Sequence, residues 1–428
     1  MLDIWPFCVT CPKDLSLSDN YSTFVNDFCE GNRNALGSWP RVKSRIIMRI
    51  KGFIQTFACA SLLFFSGKLE SFGQGTTTGG QDIKAITTAV PFLMIGPDSR
   101  SGGIGEAGVA ISDNANAAHW NLSALAFSEK KFGIGLSYTP WLRQLVPDIN
   151  LSYLSGYYNM GERAGVISSS LRYFSLGNII FTDENAVEYG KFNANEFAFD
   201  AGYTRKVTDN FSAGVGLRFI YSNLAANASV NGFETKPGIS FAGDLNMLYT
   251  KDFDAGARPL NFRWGLNISN IGAKISYTNS SNKDFIPTNL RLGVALKAGL
   301  DDYNSLTATA DLNKLMVPSE GGQSKQTLIS GMFSSFGDAE GGFSEELQEL
   351  NLSTGIEYWY NDLFAARAGL FLENASKGNR KFVTLGLGVK YSVFALDFAY
   401  LASLSQNHPL QNTLRFSLSF AFDPDGNR

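Results

Sequence analysis

The chain has 428 residues, of which 44% are hydrophobic, and its 36 Lys and Arg against 39 Asp and Glu give a formal net charge of −3. That balance excludes an intrinsically disordered chain and a polyanion-binding surface, so no nucleic-acid partner is expected. With 43 Gly and 34 Phe beside only 18% charged residues, the composition favours strands, tight turns and a wide aromatic surface. An all-β chain is expected.

In chain order, the first informative segment begins at Met48. Arg49 and Lys51 precede an apolar run from Phe53 to Phe65, and small residues follow around Ser71, Gly73 and Gly75. This order is that of a cleavable secretory signal peptide over 48–73, which puts the mature start near Gln74. Residues 1–47 lie upstream of the export signal, where such a signal does not normally operate, and read as an extension from a start placed too early. The apolar run is shorter than the roughly 20 residues of a spanning helix, and no later run reaches half that length. Cys8, Cys11 and Cys29 fall in the extension and Cys59 in the signal, so the expected mature chain has no cysteine and no disulfide. The Cys8-x-x-Cys11 spacing, lacking a second pair or nearby histidines, points to no metal.

Residues 74–130 do not alternate. They include GPDSRSGGIGEAGVAISDNANAAHWNLSALAF from Gly96 to Phe127, rich in Gly, Ala and Asn. A segment of this length and composition suits the lumen of a barrel, with Arg100, Gly103, Gly105, Gly108, Trp120 and Asn121 as candidate plug residues. Gly103, Gly105 and Gly108 match GxGxxG, but no strand precedes them and no βαβ unit surrounds them. Close backbone packing is the better reading, and no cofactor is expected.

From Lys131 onward the pattern has period two, as in Phe132, Ile134, Leu136 and Tyr138 against Gly133, Gly135 and Ser137. It recurs through Phe211–Tyr221, Phe262–Ile268, Val383–Tyr391 and Leu414–Phe422, in runs of about 9 to 11 residues, the length of a tilted transmembrane strand. Strands near 131–139, 149–158, 164–173, 196–205, 211–221, 240–250, 261–269, 289–299, 304–312, 350–359, 363–372, 382–391, 393–401 and 413–422 make fourteen. With the apolar set outward, Arg172, Asp200, Arg218, Asp244, Arg263, Arg291, Lys297, Asp311, Glu357, Arg367, Lys390, Asp397 and Arg415 point inward, where a barrel tolerates charge. Linkers alternate between long ones, at 140–148, 174–195, 222–239, 270–288, 313–349, 373–381 and 402–412, and mostly shorter ones. Long extracellular loops and short periplasmic turns are the signature of an outer-membrane barrel. Residues 326–333 also resemble a strand, which would make the count odd, and are assigned to the excursion 313–349. The expected fold is therefore a 14-stranded antiparallel transmembrane β-barrel over 131–422, with an N-terminal plug and a tail at 423–428.

The stretch Gly105 to Ala124 resembles the plug of the FadL superfamily of fourteen-stranded barrels, with Asn121-Leu122-Ser123 where that family usually has Asn-Pro-Ala. More specifically, LMIGPDSRSGG at Leu93–Gly103, SLGNIIFTDENA at Ser175–Ala186 and NEFAFDAGYTRKVTDNFSAGVGLRFIYSNLA at Asn195–Ala225 resemble the PorV family of the type IX secretion system. The resemblance runs from about Gln81 to Phe422. It implies a protein of the outer membrane of a Gram-negative, Bacteroidetes-like bacterium, in contact with outer-membrane lipids. It also implies partners: the type IX translocon barrel, the C-terminal signal domain of secreted cargo, and a surface attachment complex with a sortase-like protein. Apolar residues in the long loops, Trp141, Leu142, Leu145, Ile179, Ile180, Phe181, Phe285, Ile286 and Phe343, are candidates for the partner surface.

Two other readings remain. A FadL-type transporter of fatty acids or other hydrophobic compounds uses the same barrel and plug. An enzyme is less consistent with the residues: from Met48 onward only His119 and His408 are present, and Ser405 near His408 has no third partner. No catalytic and no metal-binding residue is expected.

Overall fold

The computed structural model describes residues 84–142, 146, 148–182, 188–224, 229–230, 233–254, 258–278, 283–319, 325–404 and 410–423. The expected extension 1–47 and signal 48–73 lie outside the described residues, as do Leu145, Ser405 and His408.

Alternating side chains give strands, and in hydrocarbon every backbone N–H and C=O needs a partner, so the sheet has to close. Fourteen strands do so: β1 Phe132–Pro140, β2 Asn150–Asn159, β3 Val166–Thr182, β4 Glu188–Lys206, β5 Phe211–Asn223, β6 Gly238–Asp254, β7 Pro259–Gly272, β8 Asn289–Gly299, β9 Asn304–Leu315, β10 Leu350–Tyr360, β11 Phe364–Leu372, β12 Lys381–Tyr391, β13 Phe394–Ser403 and β14 Thr413–Phe422. Each pairs antiparallel with its chain neighbours. β14 closes on β1 in a register that sets Leu136 opposite Leu418 and Phe132 opposite Phe422, whose rings lie 5.0 Å apart. No described helix is long and apolar enough to cross a membrane. The crossing elements are the strands.

The side-chain period sorts the wall into two faces. Leu217 is 74% exposed and Arg218 beside it 4%, and the same alternation runs through Phe241, Leu385 and Leu387 outside and Asp244, Thr384 and Arg415 inside. An outer surface of this kind is stable against lipid, not water. Exposed Tyr158, Tyr203, Tyr303, Tyr360 and Tyr391 collect at the end of the barrel that carries the short turns, the place of an interfacial aromatic belt.

Two details differ from the sequence reading. The stretch 174–195, expected as a loop, is mostly the extension of β3 and β4 into a long hairpin, so Ile179 and Ile180 are strand residues. A register shift between Ser175 and Asn178, with Gly177 at φ +82°, resets the side-chain phase there and hides the alternation. β6 runs past its expected end, where Lys251, Asp252 and Asp254 are solvated and need no apolar face, and β7 lengthens beside it, with Pro259 opposite Asp254. Residues 326–333 belong to the excursion, as assigned, and Leu328–Ser334 is a helix there, capped by Thr327, whose side chain accepts from the Ser330 N–H.

Ahead of β1 the chain threads the lumen from end to end. At the long-loop end the Lys84 N–H donates to Ser376 O at 2.9 Å and the Ala89 N–H to Phe285 O at 2.9 Å. At the short-turn end Lys130 Nζ pairs with Asp423 Oδ2 at 3.1 Å. Between them Val90, Phe92 and Leu93 pack with Ile149, Phe174, Ile220 and Ile286, and Leu122 and Leu125 pack with Tyr157, Val166 and Leu248.

The first prediction concerns this direction. With the short turns periplasmic, Lys84→Cys should react with an impermeant maleimide in intact cells, and Lys130→Cys should react only after the outer membrane is opened. The reverse pattern would invert the topology. The second concerns the two faces: Leu217→Arg should lower the refolding free energy in vesicles by about 2–4 kcal/mol, the cost of a cation on the lipid face near the midplane. An unchanged urea midpoint would count against lipid contact at this position.

Candidate functional site: the plugged lumen and its loop cap

The plug is held by hydrogen bonds from barrel side chains to its backbone. Asp311 Oδ2 on β9 accepts from the Gly108 and Val109 N–H groups at 2.7 and 2.9 Å. Thr384 Oγ1 on β12 accepts from Gly105 N at 2.8 Å, and Arg172 on β3 donates to Leu93 O at 2.7 Å. Irregular backbone at membrane depth is tolerated because these wall groups pair it.

Each candidate plug residue has an identifiable contact. Arg100 forks onto Glu357 with Nε–Oε2 2.9 Å and Nη2–Oε1 2.8 Å, and reaches Asp113 at 2.6 Å. Gly103 lies against the Gly386 backbone. Gly105 has φ +70°, and a Cβ there would come 2.6 Å from Leu370 O, so only glycine fits. Gly108 is covered by the Trp120 ring, leaving no room for a side chain. Trp120 donates from Nε1 to Asp98 Oδ1 at 2.6 Å. Asn121 donates to Val109 O at 3.1 Å and Met247 O at 2.9 Å, while its Oδ1 accepts from Ser123 N and caps the 3₁₀ turn Leu122–Phe127. The GxGxxG spacing thus marks close approach of backbone to wall.

The wall charges form two networks. Arg367 bridges Glu357 and Asp397, both at 2.7 Å, extending the Arg100 fork across β10, β11 and β13. On the other side Arg218 bonds Asp200, Asp244 and Asn270. Arg415 reaches Glu106 of the plug at 2.5 Å.

At the long-loop end the excursion between β9 and β10 carries two helices, Leu328–Ser334 and Phe343–Gln348. Buried Lys314 bonds Glu346 at 3.0 Å and Glu349 at 2.7 Å, and Lys377 bonds Glu345 at 2.8 Å and Glu349 at 3.0 Å. Hydrogen bonds from Lys377 and the Gly341 backbone hold the Glu345 carboxyl below its usual pKa. Burial alone lowers Lys377, but its bonds to Glu345 and Glu349 outweigh that and raise it.

The candidate partner residues separate into buried and exposed groups. Phe285 and Ile286 are each 1% exposed, so they are interior to the cap and not its surface: the Phe285 ring lies against Gly331 of the excursion and under Lys274, and Ile286 packs with the N-terminal thread. Trp141 and Leu142 are half-buried against inner apolar clusters. Ile180 is exposed on β3, and Phe343 is 78% exposed on the excursion. The Phe181 side chain lies outside the described residues. Sequence reasoning missed Ile329, Phe333 at 71% exposure, Phe336 and Leu347, which share the two-helix excursion with Phe343. The i, i+4 spacings Ile329/Phe333 and Phe343/Leu347 were the available signal. Among the described residues no group of three or more His, Cys, Asp and Glu is placed to hold a metal ion.

A closed barrel with an apolar exterior, a plugged lumen and an elaborated long-loop end defines an outer-membrane β-barrel protein. The family model described as "Type IX secretion system protein PorV" matches residues 78–321. The chain belongs to that family. No curated protein matches it in sequence. Among solved structures it is similar to the Ralstonia pickettii toluene transporter TbuX, with 12% identity over 76% of this chain and 98% of that one and a TM-score of 0.44. It is also similar to a Pseudomonas aeruginosa FadL homologue, with 14% identity over 79% and 100% and a TM-score of 0.40.

If Asp311 anchors the plug, Asp311→Ala leaves two buried plug amides without an acceptor, at a cost of about 1–3 kcal/mol each. The variant should melt at a lower temperature and open intermittently in planar bilayers where the parent stays closed. Parent-like conductance and melting would show that the plug does not depend on this carboxylate.

Proposed function

We propose that this protein handles cargo in type IX secretion: it binds the C-terminal signal domain of an exported protein at the translocon barrel and delivers it to the attachment complex with a sortase-like protein. It acts as a carrier and not as an enzyme, after export by the signal at 48–73. The observation that carries the reading is the exposed apolar surface of the excursion, with Ile329 57%, Phe333 71%, Phe336 47%, Phe343 78% and Leu347 47% exposed. Apolar side chains in such number at the solvated end of a barrel need a partner to cover them. Family membership supplies the process, and the ionic brace from Lys314 and Lys377 supports a surface already ordered before a partner arrives.

The transporter reading draws on the toluene transporters to which the barrel is similar, and one experiment separates the two. The double variant Phe333→Ser/Phe343→Ser leaves every strand and the plug untouched, so barrel insertion should match the parent by heat-modifiable gel mobility. Proteins with the type IX C-terminal signal should then accumulate uncleaved, with surface cargo reduced about tenfold, the effect of losing two apolar anchors. Uptake of long-chain fatty acids should be unchanged. Normal cargo attachment in a strain with impaired uptake would replace the carrier reading by the transporter one.

A further inference from the structure

We propose that the short-turn end of the lumen contains a binding site for a phosphate-bearing anion. A cavity of about 340 Å³ lies there between the plug and the wall, reaching from Arg100 and Asp113 down to the short turns at Asp362 and Ser392. Arg100 is paired with Asp113 and Glu357, Arg367 with Glu357 and Asp397, and Lys130 with Asp423, and the exposed carboxylates Glu129 and Asp362 also line the cavity. Arg263, Lys297 and Lys390 also line the cavity, and none has an ion-pair partner among the described residues.

Arg263 and Lys297 stand on adjacent strands. Arg263 is opposite Ala295, and Lys297 is opposite Asn261, so the two cations are diagonal neighbours on the inner face. Side chains in that relation are within reach of each other, and like charges there repel unless an anion intervenes. Arg263 Nε donates to Asn261 Oδ1 at 3.1 Å, which orients the guanidinium, and its two terminal nitrogens make no hydrogen bond to a described residue. A planar fork beside a mobile ammonium is a donor set for a tetrahedral oxyanion carrying more than one negative charge. A singly charged carboxylate would leave one of the two cations unmatched. Lys390, on β12, is a further cation of the same chamber. Trp359 and Tyr157 supply apolar wall beside it, which suits a small phosphate ester as well as the free ion.

The test uses the full-length protein in phosphate-free detergent at low salt. Isothermal titration with inorganic phosphate and, separately, glycerol 3-phosphate should give saturable binding, with acetate giving none. Arg263→Gln/Lys297→Gln should weaken it by about tenfold or more, the scale of lost charge-assisted contacts. Lys297→Gln alone should weaken it partially if the double variant folds poorly. Arg258→Gln, a change at an exposed cation that pairs with Asp302 outside the cavity, should leave it unchanged. Tighter binding of glycerol 3-phosphate would identify an ester as the ligand, and tighter binding of phosphate the free ion; either supports the site. Absence of saturable phosphate binding, equal binding of acetate, or undiminished binding by a folded Arg263→Gln/Lys297→Gln protein would overturn it.

Discussion

The pairing of backbone hydrogen bonds in a medium without water governs the rest of this molecule. A strand edge in hydrocarbon leaves a row of donors and acceptors unpaired, each at a cost of several kcal/mol, so the sheet is stable only when β14 returns to β1. Closure then divides the side chains by parity. Outward positions meet lipid, and inward positions meet one another and the plug. Charged residues at membrane depth are thereby committed to the lumen, where they have to find a partner or water.

Those inward charges solve the second problem, the plug. A non-helical segment crossing the membrane level has backbone groups of its own to satisfy, and it lacks a neighbouring strand to do so. Asp311, Thr384 and Arg172 take over that role from the wall, while Asn121 bridges plug and wall. Charged partners make stronger and more directional bonds than neutral ones, so a few of them fix a long segment. Breaking one partner of such a buried set is costly, whereas the intact set contributes more to position than to net stability. The glycines of the GxGxxG stretch complete the arrangement by letting the plug backbone approach Gly369, Gly386 and the Trp120 ring.

Period-two alternation is a strong signal, and it made fourteen strands, their closure and the inward side of Arg218 and Glu357 legible in the sequence. It failed where the phase slips, at the bulge near Gly177, because a reader following parity loses the strand at that residue. The plug was legible as a Gly- and Ala-rich segment, but its partners were not. Nothing local to Asp311 says that it binds Gly108, some two hundred positions earlier in the chain. Phe285 and Ile286 illustrate a related limit. Both look like surface anchors in a loop, and both are buried, Phe285 against Gly331 of the excursion and Ile286 against the N-terminal thread, contacts set by topology alone.

The loop cap and the thread share one ionic system. Lys84 at the start of the described thread bonds Glu340 at 2.9 Å and approaches Glu345 at 3.7 Å. Glu345 bonds Lys377, Lys377 bonds Glu349, and Glu349 bonds Lys314, which is anchored at the end of β9. The helix presenting Phe343 therefore rests on the barrel through buried pairs, and only its outermost contact, to Lys84, is exposed to solvent and salt. A surface held in this way does not have to be ordered when a partner binds, so less of the apolar contact energy is spent on immobilising it. Weakening the buried Lys314 pairs would act on the geometry of the patch without altering any residue that a partner touches, which separates the platform from the contact surface it supports.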